Sequence, residues 1–229
     1  MQVKDLEERD IKIVTILAGI FSASIVMANI LAGVKLENIG VLLGLPLIVP
    51  AGTIAYAWTF PITDIVDEVY GKRMALFIVW AGLAAELSML LLIVLDLPIP
   101  AIEPAMQELY NKVFLIQPRI VLASIAAYIV AQHHDVWAFW KWREITRGKH
   151  LWIRNNASTI VSQLLDSSIF TTIAFAGLVS WQVLASMILT MWLFKVLIAL
   201  LDTPFVYLGV MIIKRREITL VAPLSPRES

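Results

Sequence analysis

Six runs of mainly apolar residues restrict what this chain can fold into. They cover residues 13–31, 41–65, 74–95, 113–130, 157–179 and 182–213. Crossing a bilayer as a helix takes about 20 such residues. Inside lipid every backbone N–H and C=O must be paired within the protein, which leaves helices as the reading for runs of this length. Hydrophobic residues make up 59% of the chain, against about 45–50% in an ordinary soluble domain. The mean hydropathy of +0.81 agrees. The second and sixth runs are long and contain proline (Pro46, Pro50 and Pro61; Pro204), which predicts tilt, kinks or a partly broken helix. The stretch 96–111, with Pro98, Pro100 and Pro104, reads as a polar loop. No internal repeat is evident. The expected fold is an all-α integral membrane protein, with six transmembrane helices in a single domain over residues 1–229.

Lysine and arginine set the orientation. With the N-terminus inside, Lys4, Arg9, Lys12, Lys72, Arg73, a basic group between 141 and 154, and Lys214, Arg215, Arg216 and Arg227 all fall on the inner side. Only Lys35 and Lys112 fall outside. Both termini are therefore expected in the cytoplasm, and the protein as multi-pass in the cell inner (plasma) membrane. Residues 132–156 become a cytoplasmic loop in which Trp137, Trp140, Trp142 and Trp152 mix with Lys141, Arg143, Arg147 and Lys149. That mixture suits the membrane interface. The opening MQVKDLEERDIK is acidic as well as basic, so the first helix is expected to stay as an anchor. A formal net charge of zero argues against a nucleic-acid partner, and no cysteine is available for a metal or redox site.

Against this apolar background stand Asp64, Glu68, Glu86, Arg119, Asp166, Lys195 and Asp202. A charge at bilayer depth costs about 2.5–3.5 kcal/mol, and it persists mainly where it faces a bundle interior. Counting about 1.5 Å per residue from the flanking charges puts Asp64 roughly 12 Å deep, Asp166 about 18 Å, and Glu86 and Lys195 about 20 Å. Arg119 is shallower, near enough to the outer interface to snorkel. Asp64, Asp67 and Glu68 share one helix face, where the bland alternative is a solvated helix end pairing with Lys72 and Arg73. Gln163, Asp166, Ser167 and Ser168 make a polar stripe in an apolar helix, compatible with substrate binding or with an interhelical hydrogen bond. Lys195 is placed to neutralise Asp166 or a substrate group. It is about 10 Å along the helix from Asp202, too far to pair with it unaided.

Carboxylates accept from N–H donors, and a guanine-like edge presents two side by side. Trp58 and Phe60 could stack on such a ring or simply fill core. Other polar solutes fit these residue types equally well.

Four segments, TDIVDEVYGKR (63–73), RIVLASIAAYIVAQHHDV (119–136), HLWIRNNASTIVSQLLDSSIF (150–170) and FKVLIALLDTPFVY (194–207), preceded by ANILAGVK around Asn29, resemble successive hallmarks of the queuosine precursor transporter family, also called the vitamin uptake transporter family. The resemblance implies import of the 7-deazaguanine bases preQ0 and preQ1 for tRNA queuosine salvage. It also implies a fold like the six-helix substrate-binding (S) component of energy-coupling-factor transporters, working without the ATPase module. Carried onto this chain it points to Asn29, Asp64, Glu68, Arg119, Gln132, Asp135, Gln163, Asp166 and Lys195. Gln132 and Asp135 are expected to gate or support. Phe60, Glu86 and Asp202 are secondary candidates, and Glu86 rests on burial alone.

The paired His133 and His134 point about 100° apart on a helix, so no metal site is expected, nor any cofactor. The expected partners are the small-molecule base, membrane lipid and further copies of the chain. Two alternatives remain at this stage. One is a capture subunit of a multi-component importer, and the other is an integral-membrane enzyme using the carboxylates in acid–base chemistry.

Overall fold

The computed structural model describes residues 8–42, 44–145, 151–201 and 203–220. Asp202, the middle of the expected cytoplasmic loop and the side chains of Gln132 and Asp135 lie outside the described residues. The order is α1 (Glu8–Ala32), β1 (Leu36–Leu42), β2 (Leu45–Pro50), α2 (Thr53–Ala57), α3 (Thr59–Tyr70), α4 (Lys72–Asp96), α5 (Pro104–Phe114), α6 (Gln117–Ile145), α7 (Leu151–Phe175), α8 (Trp181–Leu201) and α9 (Thr203–Leu220).

Four stretches are long and apolar enough to cross a membrane: Glu8–Ala32, Lys72–Asp96, Pro104–Ala131 and Trp181–Ile198. Ile160–Phe175 and Pro204–Ile213 are shorter apolar helices. The protein is thus a mostly helical, multi-pass integral membrane protein.

Both proline-containing runs are interrupted, as the prolines led one to expect, and the stretch 96–111 is not all loop, since α5 begins at Pro104. The run 41–65 is not one helix, and the fold is not purely helical. Its first part pairs with residues 36–42 as an antiparallel hairpin, Leu36 opposite Pro50 and Leu42 opposite Leu45, with a register shift between Asn38 and Val41. Pro46 and Pro50 lack the N–H a helix interior needs. Gly44 in the turn takes φ 82°, a left-handed conformation open to glycine. Helix resumes only at Thr53 and breaks again at Trp58. There the Thr59 hydroxyl donates to the Tyr56 carbonyl at 2.6 Å, and the Thr63 hydroxyl to Phe60 at 2.9 Å. Side-chain hydroxyls thereby pair carbonyls near the break, the condition on which broken helices survive in membranes. The run 182–213 is likewise divided into α8 and α9, with Pro204 in the first turn of α9, where a missing N–H does no harm.

Side-chain contacts fix how the segments run. The Tyr70 hydroxyl donates to Asp10 at 3.2 Å, so the end of α3 meets the start of α1. The Ser186 hydroxyl bonds the Pro46 carbonyl, tying the hairpin to the start of α8 at the opposite end. Arg9 donates to the Ile213 carbonyl at 2.8 Å, bringing α9 back to the start of α1. One buried cluster at this end joins Phe21, Ile62, Val66, Ile78 and Ile213. Another, at the hairpin end, joins Ala32, Ile120, Ala174, Phe175 and Met187. The polar residues described below lie between them.

The segment 132–156 is mainly helix in its described parts, since α6 continues to Ile145 and α7 begins at Leu151. Trp137 is exposed there.

Gly52 starts α2 with φ 89°, and a Cβ at that position would sit 2.5 Å from the Ala28 carbonyl oxygen. Only glycine lets α2 approach α1 so closely. Gly52→Val should cost about 2 kcal/mol from the left-handed backbone alone. The thermal unfolding midpoint in detergent should fall by roughly 4–8 °C; an unchanged midpoint would mean that α2 is not held in this way.

Candidate functional site

The stripe on α7 and the lysine of α8 meet in the interior. Lys195 Nζ donates to Asp166 Oδ2 in a buried ion pair, the two side chains being 5% and 12% exposed. Helical spacing explains the placement: Ser162, Gln163, Asp166 and Ser167 recur at three- and four-residue intervals, so they share a face. Both Ser162 and Ser167 are buried with Asp166. Three buried polar atoms of this region, Gln163 Oε1, Ser167 Oγ and Thr190 Oγ1, have no hydrogen-bond partner among the described residues. Such an atom costs about 1–3 kcal/mol when left unmade. Gln163 and Ser167 flank the buried Asp166 on α7, an arrangement suited to a polar ligand.

Tyr56 closes the other side. Lys195 Nζ lies 5.0 Å from the centroid of its ring. Phe60 stands edge-on to that ring at 5.4 Å and 89°. Asp166, Glu86 and Tyr128 are all within electrostatic range of the Tyr56 phenol. This links the ion pair to a second buried pair, in which Asn29 Nδ2 of α1 donates to Glu86 Oε1 of α4. Asn29 is 6% exposed and Glu86 2%, and no cation among the described residues pairs with Glu86.

The structure thus gathers Asn29, Glu86, Asp166 and Lys195, with Gln163 and Phe60 beside them. Asp64 and Glu68 are exposed on α3, whose buried residues are Thr59, Ile62, Val66 and Tyr70. Trp58 is 60% exposed and does not stack over the buried pair. His133 Nδ1 contacts the Ile129 carbonyl at 2.6 Å, whereas His134 Nδ1 contacts Ser162 Oγ at 3.0 Å, so the adjacent imidazoles diverge. No group of three or more metal-ligating side chains occurs among the described residues.

Arg119 hydrogen-bonds the backbone at the end of α7. Its Nε donates to the Ile173 carbonyl and its Nη2 to the Ala176 carbonyl, both at 2.5 Å. The Ile173 oxygen belongs to the last turn of α7, whose carbonyls lack helical partners, and Ala176 follows directly after the helix. A cation there also suits the negative end of the helix dipole. Arg119→Met should therefore lower stability by about 1–3 kcal/mol, read as a lower unfolding midpoint. A variant with an unchanged midpoint would return Arg119 to the substrate lining.

Tyr56 and Thr190 were not singled out from the sequence. An aromatic or a threonine in an apolar run reads as core, and only the four-residue spacing of Tyr56 to Phe60 hinted at a shared face.

Paired buried charge within a multi-pass bundle of apolar helices suits a membrane transporter, and comparison with known proteins gives that class. The family model described as “Putative vitamin uptake transporter” matches residues 50–209. A “Probable queuosine precursor transporter” from Bacillus subtilis (strain 168) is 33% identical over 158 residues, covering 68% of this chain and 69% of its own length. The chain belongs to the vitamin uptake transporter family. It is a transporter and not an enzyme, which removes the acid–base catalyst from consideration. No solved structure matches it. Among the gathered residues, Asn29 precedes the matched region, while Tyr56, Glu86, Asp166 and Lys195 fall within it.

Proposed function

We propose that the protein imports queuosine precursors, the 7-deazaguanine bases preQ0 and preQ1, across the cell inner membrane. The observation that carries this reading is the buried Asp166–Lys195 pair, with the unpaired polar atoms of Gln163 and Ser167 next to Asp166 on α7. Asp166 accepts from the adjacent ring N–H and exocyclic amine of the base, and Gln163 completes the orientation. Lys195 balances the charge of Asp166 when no base is bound. Asn29 and Glu86 offer a second donor–acceptor pair within reach of the same centre. Asp64 and Glu68, exposed on α3, serve the passage of the base or of the preQ1 amine rather than its central binding.

Six passes with both termini cytoplasmic accord with the contacts along the bundle. In this reading α2 with α3, and α8 with α9, each make one broken crossing. The relative named as a queuosine precursor transporter supports the substrate class.

Equilibrium binding in detergent tests the recognition. A 7-deazaguanine base should bind saturably, and 7-deazaadenine should not, because its edge presents an acceptor where the deazaguanine ring presents N–H. A site built on hydrogen bonds rejects an analogue lacking them by a large factor, about 10⁴ or more in favourable cases. Equal binding of the two would contradict the assignment of Asp166.

A further inference from the structure

We infer that Tyr56 is a positioning residue of this site, whose ring receives the Lys195 ammonium when a substrate takes Asp166. The inference rests on the reading of Asp166 as the substrate's acceptor. In the structure Lys195 Nζ already touches both groups, bonded to Asp166 and 5.0 Å from the Tyr56 ring centroid. A two-donor edge seated across both carboxylate oxygens competes with the ammonium for Oδ2. An unpaired ammonium is unfavourable at bilayer depth. The face of an aromatic ring attracts a cation, and more strongly once water is excluded. Lysine is suited to such a shift, because its charge rides on a flexible four-carbon stem.

The ring itself is held still. Tyr56 lies on α2, which Gly52 seats directly against the α1 backbone, leaving no room for a Cβ at that position. The Tyr56 carbonyl takes the Thr59 hydroxyl, and Phe60 braces the ring edge-on. A fixed ring beside a mobile cation gives Lys195 two alternative positions. Tyr56 thereby sets how readily Asp166 is released to the substrate, and it acts through Lys195 without needing its own hydroxyl for that purpose.

Liposomes containing the purified full chain test this with labelled preQ1. Tyr56→Leu should raise KM about tenfold, with little change in maximal rate. Tyr56→Phe keeps the ring and should recover most of the affinity. Thermal unfolding supplies a readout that needs no substrate. Tyr56→Leu should lower the midpoint in the otherwise wild-type chain. That loss should shrink to roughly half or less when Asp166→Leu and Lys195→Met have removed the cation. Equal KM effects of Phe and Leu, or the same midpoint loss in both backgrounds, would overturn the inference. Absence of any deazaguanine uptake by the wild-type protein would instead overturn the substrate reading, leaving the midpoint comparison to decide on Tyr56.

Discussion

Asp166→Asn is expected to abolish uptake, by at least about 100-fold, in a protein that still folds and purifies as a single species. The substitution conserves shape but replaces a carboxylate by an amide, which turns an N–H donor toward the donor edge of the base. Charge-assisted hydrogen bonds are worth about 1.5–3 kcal/mol each, so losing one or two accounts for that factor. The same change deprives Lys195 of its counter-charge, so some loss of stability should accompany it. Folding is therefore checked first, by size exclusion and a thermal melt. A well-folded Asp166→Asn protein with wild-type uptake would remove Asp166 from the site.

The second large effect separates function from stability at the same pair. Lys195→Met alone leaves the Asp166 carboxylate buried without its cation. Breaking a buried pair in this way costs about 3–5 kcal/mol. Replacing both charges, with Asp166→Leu and Lys195→Met together, should leave the unfolding midpoint at or above that of the wild type. Hydrophobic pairs of similar volume are often neutral or stabilising by about 1–4 kcal/mol relative to a buried ion pair. Uptake should be absent in both variants. A stable but inactive double variant would show that the charges are kept for the substrate at a cost to the fold. A double variant as unstable as Lys195→Met would show instead that the pair holds α7 to α8.

The helices whose apolar runs are uninterrupted were legible in the sequence. In α1, α4 and the first part of α6, length and hydropathy alone decide the outcome, because lipid permits no other backbone arrangement. The segment from Val41 to Ile65 was not legible in the same way. Its apolar composition satisfies a hydropathy count, but Pro46, Pro50 and the left-handed Gly44 and Gly52 turn the chain into a hairpin and a short helix. Hydropathy does not register that distinction, whereas backbone chemistry does.

The site shows a similar division. Asp166 and Lys195 stood out because charge in an apolar helix is unfavourable unless paired, and the structure pairs them. Glu86 was marked by depth and Asn29 by family resemblance, and their hydrogen bond joins two separate signals. Arg119 reads as shallower than the other charges, near enough to the interface to snorkel, and its side chain instead caps the end of α7. Which helix end faces an arginine depends on packing, and no local pattern encodes it. Tyr56 was invisible for the opposite reason, since its importance comes from a lysine 139 positions away in the chain.

The most direct measurement is uptake of labelled preQ1 and preQ0 into liposomes containing only this purified protein, with and without a pH gradient. Saturable uptake that is lost with Asp166→Asn is the result expected of a self-sufficient transporter, and its response to the gradient would show whether protons move with the base. Tight binding with no uptake would contradict self-sufficient transport and favour a capture subunit that needs a separate energising complex. Neither binding nor uptake would contradict the assignment of 7-deazaguanine bases as substrate.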